Sequence, residues 1–291
     1  MSFKNKYEYF FFHSFVRLFS LVGMKGARHF AHLLAMMFFY VIPVRKETVI
    51  SNLQKAFPGL SQKEVKKIAY RNYYSFCVTL IEIMCIPRLT PEQVKKMVYC
   101  SNLEAIKERY ELNRGLIFLT AHFGNWELAA SSVSLQLGVP LYVVAKPQRN
   151  SLVSDWLNTM REKFGNKVVL LGMSFRNIFK VLYQKNIVAL VGDQRGDIDG
   201  PRVKFMGIDS SVYPGTAVLA LRTKSPIAVA IVERQKDFSY RIDAQFIDIE
   251  DLEGTDEEKV LEINQRYSDI LETYIRRNPE QWFWMHKRWK Y

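Results

Sequence analysis

The sequence predicts an α/β fold: a mixed, largely parallel sheet covered by helices, with a membrane-associated helical segment at the N-terminus. Three observations carry this. From residue 115 onward, short apolar runs alternate with amphipathic stretches at the spacing of strand–helix units. Residues 47–83 instead show apolar positions at helical spacing. Residues 9–44 are rich in Phe and Leu, with basic residues interleaved. The 291 residues, 48% hydrophobic and 24% charged, suit one large domain with a sizeable core and exclude wholesale disorder.

Residues 1–46 form the first unit. They hold seven Lys/Arg and a single acid, Glu8, and residues 29–44 run sixteen positions without a formal charge. A full helical span needs about 20 apolar residues, so neither apolar stretch qualifies cleanly. No small-residue cleavage site follows a short apolar core, which argues against a removed signal peptide. The expectation is an interfacial helix pair or a short anchor with positive flanks; packing as ordinary core is the alternative.

Residues 47–291 form the second unit. Glu47–Phe57 and Ser61–Ile83 predict helices separated by the turn Pro58-Gly59-Leu60, with Ser61 and Glu64 as a capping box. Thr90-Pro91-Glu92 starts another, with proline at the first helical position. Strands are expected at 115–120, 140–146, 167–171, 187–192, 203–206, 226–233 and 238–247, and helices at 126–137, 151–164, 174–185, 214–223 and 256–277.

Charge narrows the partners. The 41 Lys and Arg against 29 Asp and Glu give a formal +12, which attracts anionic lipid, phosphorylated substrates or an acidic protein. Nucleic acid is disfavoured because the positive charge accompanies greasy sequence rather than polar loops. Cys77, Cys85 and Cys100 lack any C-x-x-C spacing and read as reduced packing residues. Residues 191–200 contain glycines but no nucleotide-binding fingerprint, and neither a metal site nor a cofactor is expected.

The chemistry points to residues 121–127, Ala-His-Phe-Gly-Asn-Trp-Glu, directly after the apolar run 115–120. His122 is the only histidine between His32 and His286, and Glu127 follows five positions later on the first turn of a predicted helix. A bend at Gly124 lets Glu127 accept from one ring nitrogen, leaving the other to take a proton from a hydroxyl. A histidine satisfied in the core beside a helix-start glutamate fits the same residues. Zinc does not, because the spacing is not H-E-x-x-H and no other His or Cys stands near.

The heptad also resembles the H-x-x-x-x-D/E motif of glycerolipid-type acyltransferases, in the form typical of the late acyltransferases of bacterial lipid A biosynthesis. The likeness covers some 240 residues. Val49–Ser61 is similar to that family's N-x-x-x-x-F-P-x-L-S segment, and Asp193-Gln194 to its D-Q motif. Val203–Gly207 and Gly215–Ala220 follow in order, and Asn278–Lys290 resembles its P-x-Q-W-x-W-x-H-R-R-W terminus. Where lipid A enzymes commonly read Y-R-P-x-x-N, this chain has Ala145-Lys-Pro-Gln-Arg-Asn150.

The resemblance implies His122 as general base and Glu127 as its orienting carboxylate, with a hydroxyl attacking a fatty acyl thioester directly. It implies an acyl-carrier protein, or acyl-coenzyme A, as donor, a lipid A precursor or related glycolipid as acceptor, and the cytoplasmic face of the bacterial inner membrane as location. A lysophospholipid, glycerol phosphate or aminolipid acceptor is the nearest alternative; a non-catalytic lipid-binding protein is a further one. Asn125, Lys146, Arg149, Asn150, Asp193, Gln194, Arg195 and Arg288 are the expected substrate-binding residues.

Overall fold

The structure, a computed structural model, describes residues 3–171 and 175–290. The chain opens with α1 (Phe3–Met36), broken at Gly23, whose φ of 75° and ψ of 161° leave the helical region. A π-helical turn, Met37–Val41, leads to α2 (Lys46–Ala56) and α3 (Gln62–Cys85). The Ser61–Glu64 capping box forms, and Thr90 with Gln93 makes another at the start of α4 (Pro91–Met97). Next come β1 (Val98–Cys100), α5 (Leu103–Glu111), β2 (Leu116–Thr120), α6 (Trp126–Leu137), β3 (Leu141–Ala145) and α7 (Ser151–Glu162). Then follow β4 (Lys167–Leu170), α8 (Phe175–Tyr183), β5 (Ile187–Val191), the hairpin β6 (Arg202–Phe205) and β7 (Ile208–Ser211), and α9 (Gly215–Thr223). The chain closes with β8 (Ile227–Arg234), β9 (Tyr240–Ile247) and α10 (Asp256–Arg277). Ser174, where the sequence predicts α8 to begin, lies outside the described residues.

Seven strands form one sheet in the order β1-β9-β8-β2-β5-β3-β4. Five of them, β8, β2, β5, β3 and β4, run parallel; β9 turns antiparallel to β8, and β1 pairs parallel with β9. The expected α/β class with a mixed, largely parallel sheet is therefore observed. Strands β2 and β8 are buried almost throughout, as central strands covered on both faces must be.

One core, on the sheet face covered by α1, α2, α3, α9 and α10, includes Leu53, Tyr73, Ile117, Leu119 and Trp284; the other, with α4, α5, α6 and α7, includes Ile106, Phe118, Leu128 and Met160. The N-terminal segment is part of the first: Phe19, Ala27, Ala31, Ala35 and Phe39 are buried in it, chiefly against α3. Its opposite face leaves Phe3, Phe10, Leu21, Leu33 and Tyr40 exposed. No described helix is long and apolar enough to cross a membrane.

The C-terminal segment is core rather than an aromatic surface. Trp282, Trp284 and Trp289 are buried and pack edge-on or tilted on one another, with Phe205 edge-on to Trp282 and stacked on Trp289. Two asparagines fix it. Asn52 donates to the carbonyls of Trp284 and His286 at 2.9 and 2.7 Å, and Asn72 to those of Glu280 and Trp282 at 2.9 and 2.6 Å. The three cysteines are free and buried, as expected.

Candidate active site

Strands β2 and β5 are parallel neighbours with Thr120 opposite Val191. Two residues beyond each, at the same edge of the sheet, stand His122 and Asp193. The Asp193 carboxylate is 2.7 Å from His122 Nδ1 and accepts from the His122 backbone N–H at 3.1 Å and the Trp282 indole N–H at 2.8 Å. Three donors satisfy a carboxylate whose side chain is only 3% exposed. The His122 side chain keeps 22% exposure, and among the described residues nothing engages its Nε2. Trp126 meets the ring edge-on at 4.9 Å and Phe283 lies tilted at 5.9 Å, so aromatic walls fix the ring plane.

The backbone around His122 is held from two sides. The C-terminal segment zips onto it: Phe283 N donates to His122 O at 3.0 Å, and Gly124 N to Gln281 O at 3.1 Å. On the other side Thr79 of α3 donates to Gly124 O at 2.7 Å. Gly124 has φ +56°, and a Cβ there would lie 2.2 Å from Val232 O, so this bend accepts only glycine.

Burial pushes the His122 ring toward neutrality, but the charge and hydrogen bond of Asp193, then the charge of Glu127, outweigh it and raise the pKa above its ordinary value. Burial likewise opposes ionisation of Asp193, yet the His122 charge and its three donors hold the carboxyl below the usual range. The pair therefore has an ionised carboxylate fixing an imidazole through Nδ1, with Nε2 available for proton transfer. His286 nearby is neutral: burial lowers it to about 4, and its Nε2 accepts from the Arg195 backbone N–H at 3.3 Å.

Two expectations are corrected here. Glu127 does not hydrogen-bond to His122. On the first turn of α6 it points toward α7, where Arg161 grips both its oxygens at 2.6–3.1 Å. Asp193, expected to bind substrate, takes the orienting position instead. Strand adjacency brings it there, and adjacency of β2 to β5 is not visible along the chain. Arg161 was not anticipated, and neither was the buried Glu82, whose Oε2 accepts from Asn125 at 2.9 Å.

Several other expected binding residues have structural partners. Asn125 is fully buried; it caps α6 by accepting from Leu128 N at 3.0 Å. Asn150 caps α7 and donates to Asn5 O at 2.8 Å, while Arg149 reaches Glu8 at 3.0 Å, so the segment after β3 ties down α1. Arg288 is buried, donates to Ser211 O at 2.6 Å and lies over the Phe205 ring; burial lowers its pKa to about 10. Arg195 forms an isolated bridge with Val212. Lys146 and Gln194, beyond β3 and β5, are exposed at the His122 edge of the sheet. Among the described residues no group of His, Cys, Asp and Glu could hold a metal ion.

The family model "Bacterial lipid A biosynthesis acyltransferase" matches residues 2–291. The chain is 28% identical over 255 residues to the lipid A biosynthesis palmitoleoyltransferase of Escherichia coli, covering 84% of this chain and 79% of that one. It is 25% identical over 252 residues to the lauroyltransferase of the same organism, with the same coverage. A lipid A biosynthesis acyltransferase of Haemophilus influenzae is 25% identical over 272 residues, covering 90% of this chain and 84% of that one. With the family model matching nearly its whole length, the chain belongs to the bacterial lipid A biosynthesis acyltransferase family.

Proposed function

We propose that this acyltransferase moves a fatty acyl chain from an acyl thioester to a hydroxyl of a lipid A precursor, with His122 as general base. The observation that carries the reading is the His122–Asp193 pair, with Nδ1 engaged and Nε2 clear. Nε2 takes the proton of the acceptor hydroxyl as its oxygen attacks the thioester carbonyl. The tetrahedral intermediate then collapses, the C–S bond breaks, and the thiolate leaves, taking up a proton. The positive end of the α6 dipole, which begins at Trp126 against the His122 ring, favours the oxyanion. Glu127 acts on the ring through its charge, and Asp193 holds the tautomer. Of the expected binding set, Lys146, Arg149 and Gln194 are exposed, and Arg149 already pairs with Glu8, which leaves Lys146 and Gln194 as the side chains offered to a substrate.

The donor in this reading is an acyl-carrier protein or acyl-coenzyme A, and the site of action is the cytoplasmic face of the inner membrane. Residues 1–46 seat the enzyme there and 47–291 carry the chemistry. The exposed apolar face of α1, continued by Tyr40, Val41 and Ile42, supports an interfacial seat. The test incubates purified protein with radiolabelled acyl thioester, on carrier protein or coenzyme A, and a lipid A precursor bearing a free hydroxyl. Mass spectrometry should find the acceptor one acyl group heavier. Transfer to a lysophospholipid with none to the precursor would overturn the acceptor, and no transfer by folded protein would overturn the reading.

A further inference from the structure

A cavity of about 750 Å³ lies beside the break in α1, and His122 does not line it. Phe19, Met24, Leu89, Met97 and Phe238 give it apolar walls drawn from α1, the segment after α3, α4 and the β8–β9 turn. Because Gly23 is non-helical, residues on both sides of the break face the same space. Its volume is within the roughly 300–1,000 Å³ of small-molecule sites.

The charge around it is one-sided. Lys25, Arg28, Arg88 and Lys96 line the cavity against a single acid, Asp237. Arg28 is neutralised by buried Glu82, at 2.8 Å from Nε, and the Asp237 carboxylate is held by the backbone and hydroxyl of Ser239 at 3.0 and 2.7 Å. Lys25, Arg88 and Lys96 have no ion-pair partner among the described residues. Beside them, Lys163 is depressed by burial and then by the like charge of Arg88. An apolar hole under three uncompensated cations suits an amphiphile with an anionic head.

We propose that this cavity holds a net-anionic membrane phospholipid as a non-reacting ligand. The phosphate lies among Lys25, Arg88 and Lys96, and an acyl chain fills the space against Phe19, Met24 and Phe238. Entry is along exposed Leu18, Leu21 and Val22 of α1, so the proposal rests on the membrane seat described above. The occupant does not react there, since neither His122 nor Asp193 is among the residues that line the cavity.

Calorimetric titration of the full-length protein in detergent with short-chain phosphatidylglycerol, and with phosphatidylcholine of the same chains, tests this. The expected result is one phosphatidylglycerol per chain, bound at least about tenfold tighter than phosphatidylcholine. The triple variant Lys25→Gln/Arg88→Gln/Lys96→Gln should lose that preference. A control, Lys63→Gln/Lys66→Gln/Lys67→Gln on the exposed face of α3, removes equal charge and should keep it. Equal binding of the two lipids, or equal loss in the control, overturns the site. Acyl transfer to a detergent-dispersed acceptor, measured on the same proteins, is independent: wild type that binds lipid but transfers nothing would overturn the proposed function alone.

Discussion

Asp193 reaches His122 across 71 residues of sequence, Oδ1 to Nδ1 at 2.7 Å, because their strands are parallel neighbours ending at the same sheet edge. Asp193→Asn removes the charge that stabilises the imidazolium and turns an amide donor toward groups that themselves donate. Turnover of acyl thioester should fall by roughly 10²–10⁴, with circular dichroism unchanged. A folded Asp193→Asn protein with wild-type turnover would return the orienting role to another carboxylate.

The pH profile follows from the same pair. A general base works when neutral, so the acidic limb of kcat/KM should lie above 6.5, the ordinary histidine value, because Asp193 and Glu127 together raise His122. Stability runs the other way. A raised histidine contributes stability that is fully present below pH 6.5 and lost as pH rises through its folded value. Asp193, held low, contributes stability that is present above 3.8 and lost as pH falls through its folded value. The pair should therefore stabilise the fold most between pH 3.8 and 6.5, and His122→Gln should flatten the pH dependence of unfolding above and below that window.

Glu127 should act at a distance. Glu127→Gln removes a negative charge that raises His122, so the acidic limb should move to lower pH while the ring keeps its bond to Asp193. Arg161→Ala is a different lesion. It strands the Glu127 carboxylate, 7% exposed, without its bidentate partner, and chemical denaturation should show a loss of about 3–5 kcal/mol. Arg161→Ala combined with Glu127→Gln should recover much of that stability. Failure to recover any would mean that Arg161 serves the fold independently of Glu127.

Much of this was legible along the chain and some was not, for physical reasons. Helices α6 and α10 are expected over 126–137 and 256–277 and occur there, since each starts at a side-chain cap and α10 has a strong apolar pattern. Helix α5 carries no apolar period that the sequence could show, because Ile106 is its one buried residue among five charges. Strands β1 and β7 have only three and four residues, too short for an alternating pattern. The β6–β7 hairpin turns at Met206-Gly207, both with positive φ, and a methionine there gives no turn signal. In the site, His122 and its bend at Gly124 could be read locally; its partner could not, because only the strand order makes Asp193 a neighbour.

Gly124→Ala tests the bend. At φ +56° the added methyl would meet Val232 O at 2.2 Å, and the backbone cannot yield without shifting His122. Stability should drop by about 1–3 kcal/mol, and turnover should fall further than that loss predicts at temperatures where the protein stays folded. Normal kinetics in a destabilised Gly124→Ala protein would uncouple the bend from catalysis.

The membrane seat is tested on α1 without disturbing its buried face. Phe10 and Leu21 are 65% and 84% exposed, whereas Ala27, Ala31 and Ala35 are fully buried against the domain. Phe10→Glu/Leu21→Glu should leave folding intact. It should weaken sedimentation with anionic vesicles by roughly tenfold or more, since each large apolar side chain returned to water costs about 1.5–3 kcal/mol. Raising salt should weaken binding of the native protein only partly, because screening over about 8–10 Å removes the contribution of Lys4, Lys6 and Arg17 but not that of the Phe and Leu face. Turnover on a detergent-dispersed, short-chain acceptor should be unchanged, as neither residue lies near His122 in the contacts that define the site. Complete release of the native protein by salt would make the attachment electrostatic, and full vesicle binding by the double variant would show that this face of α1 does not meet the bilayer.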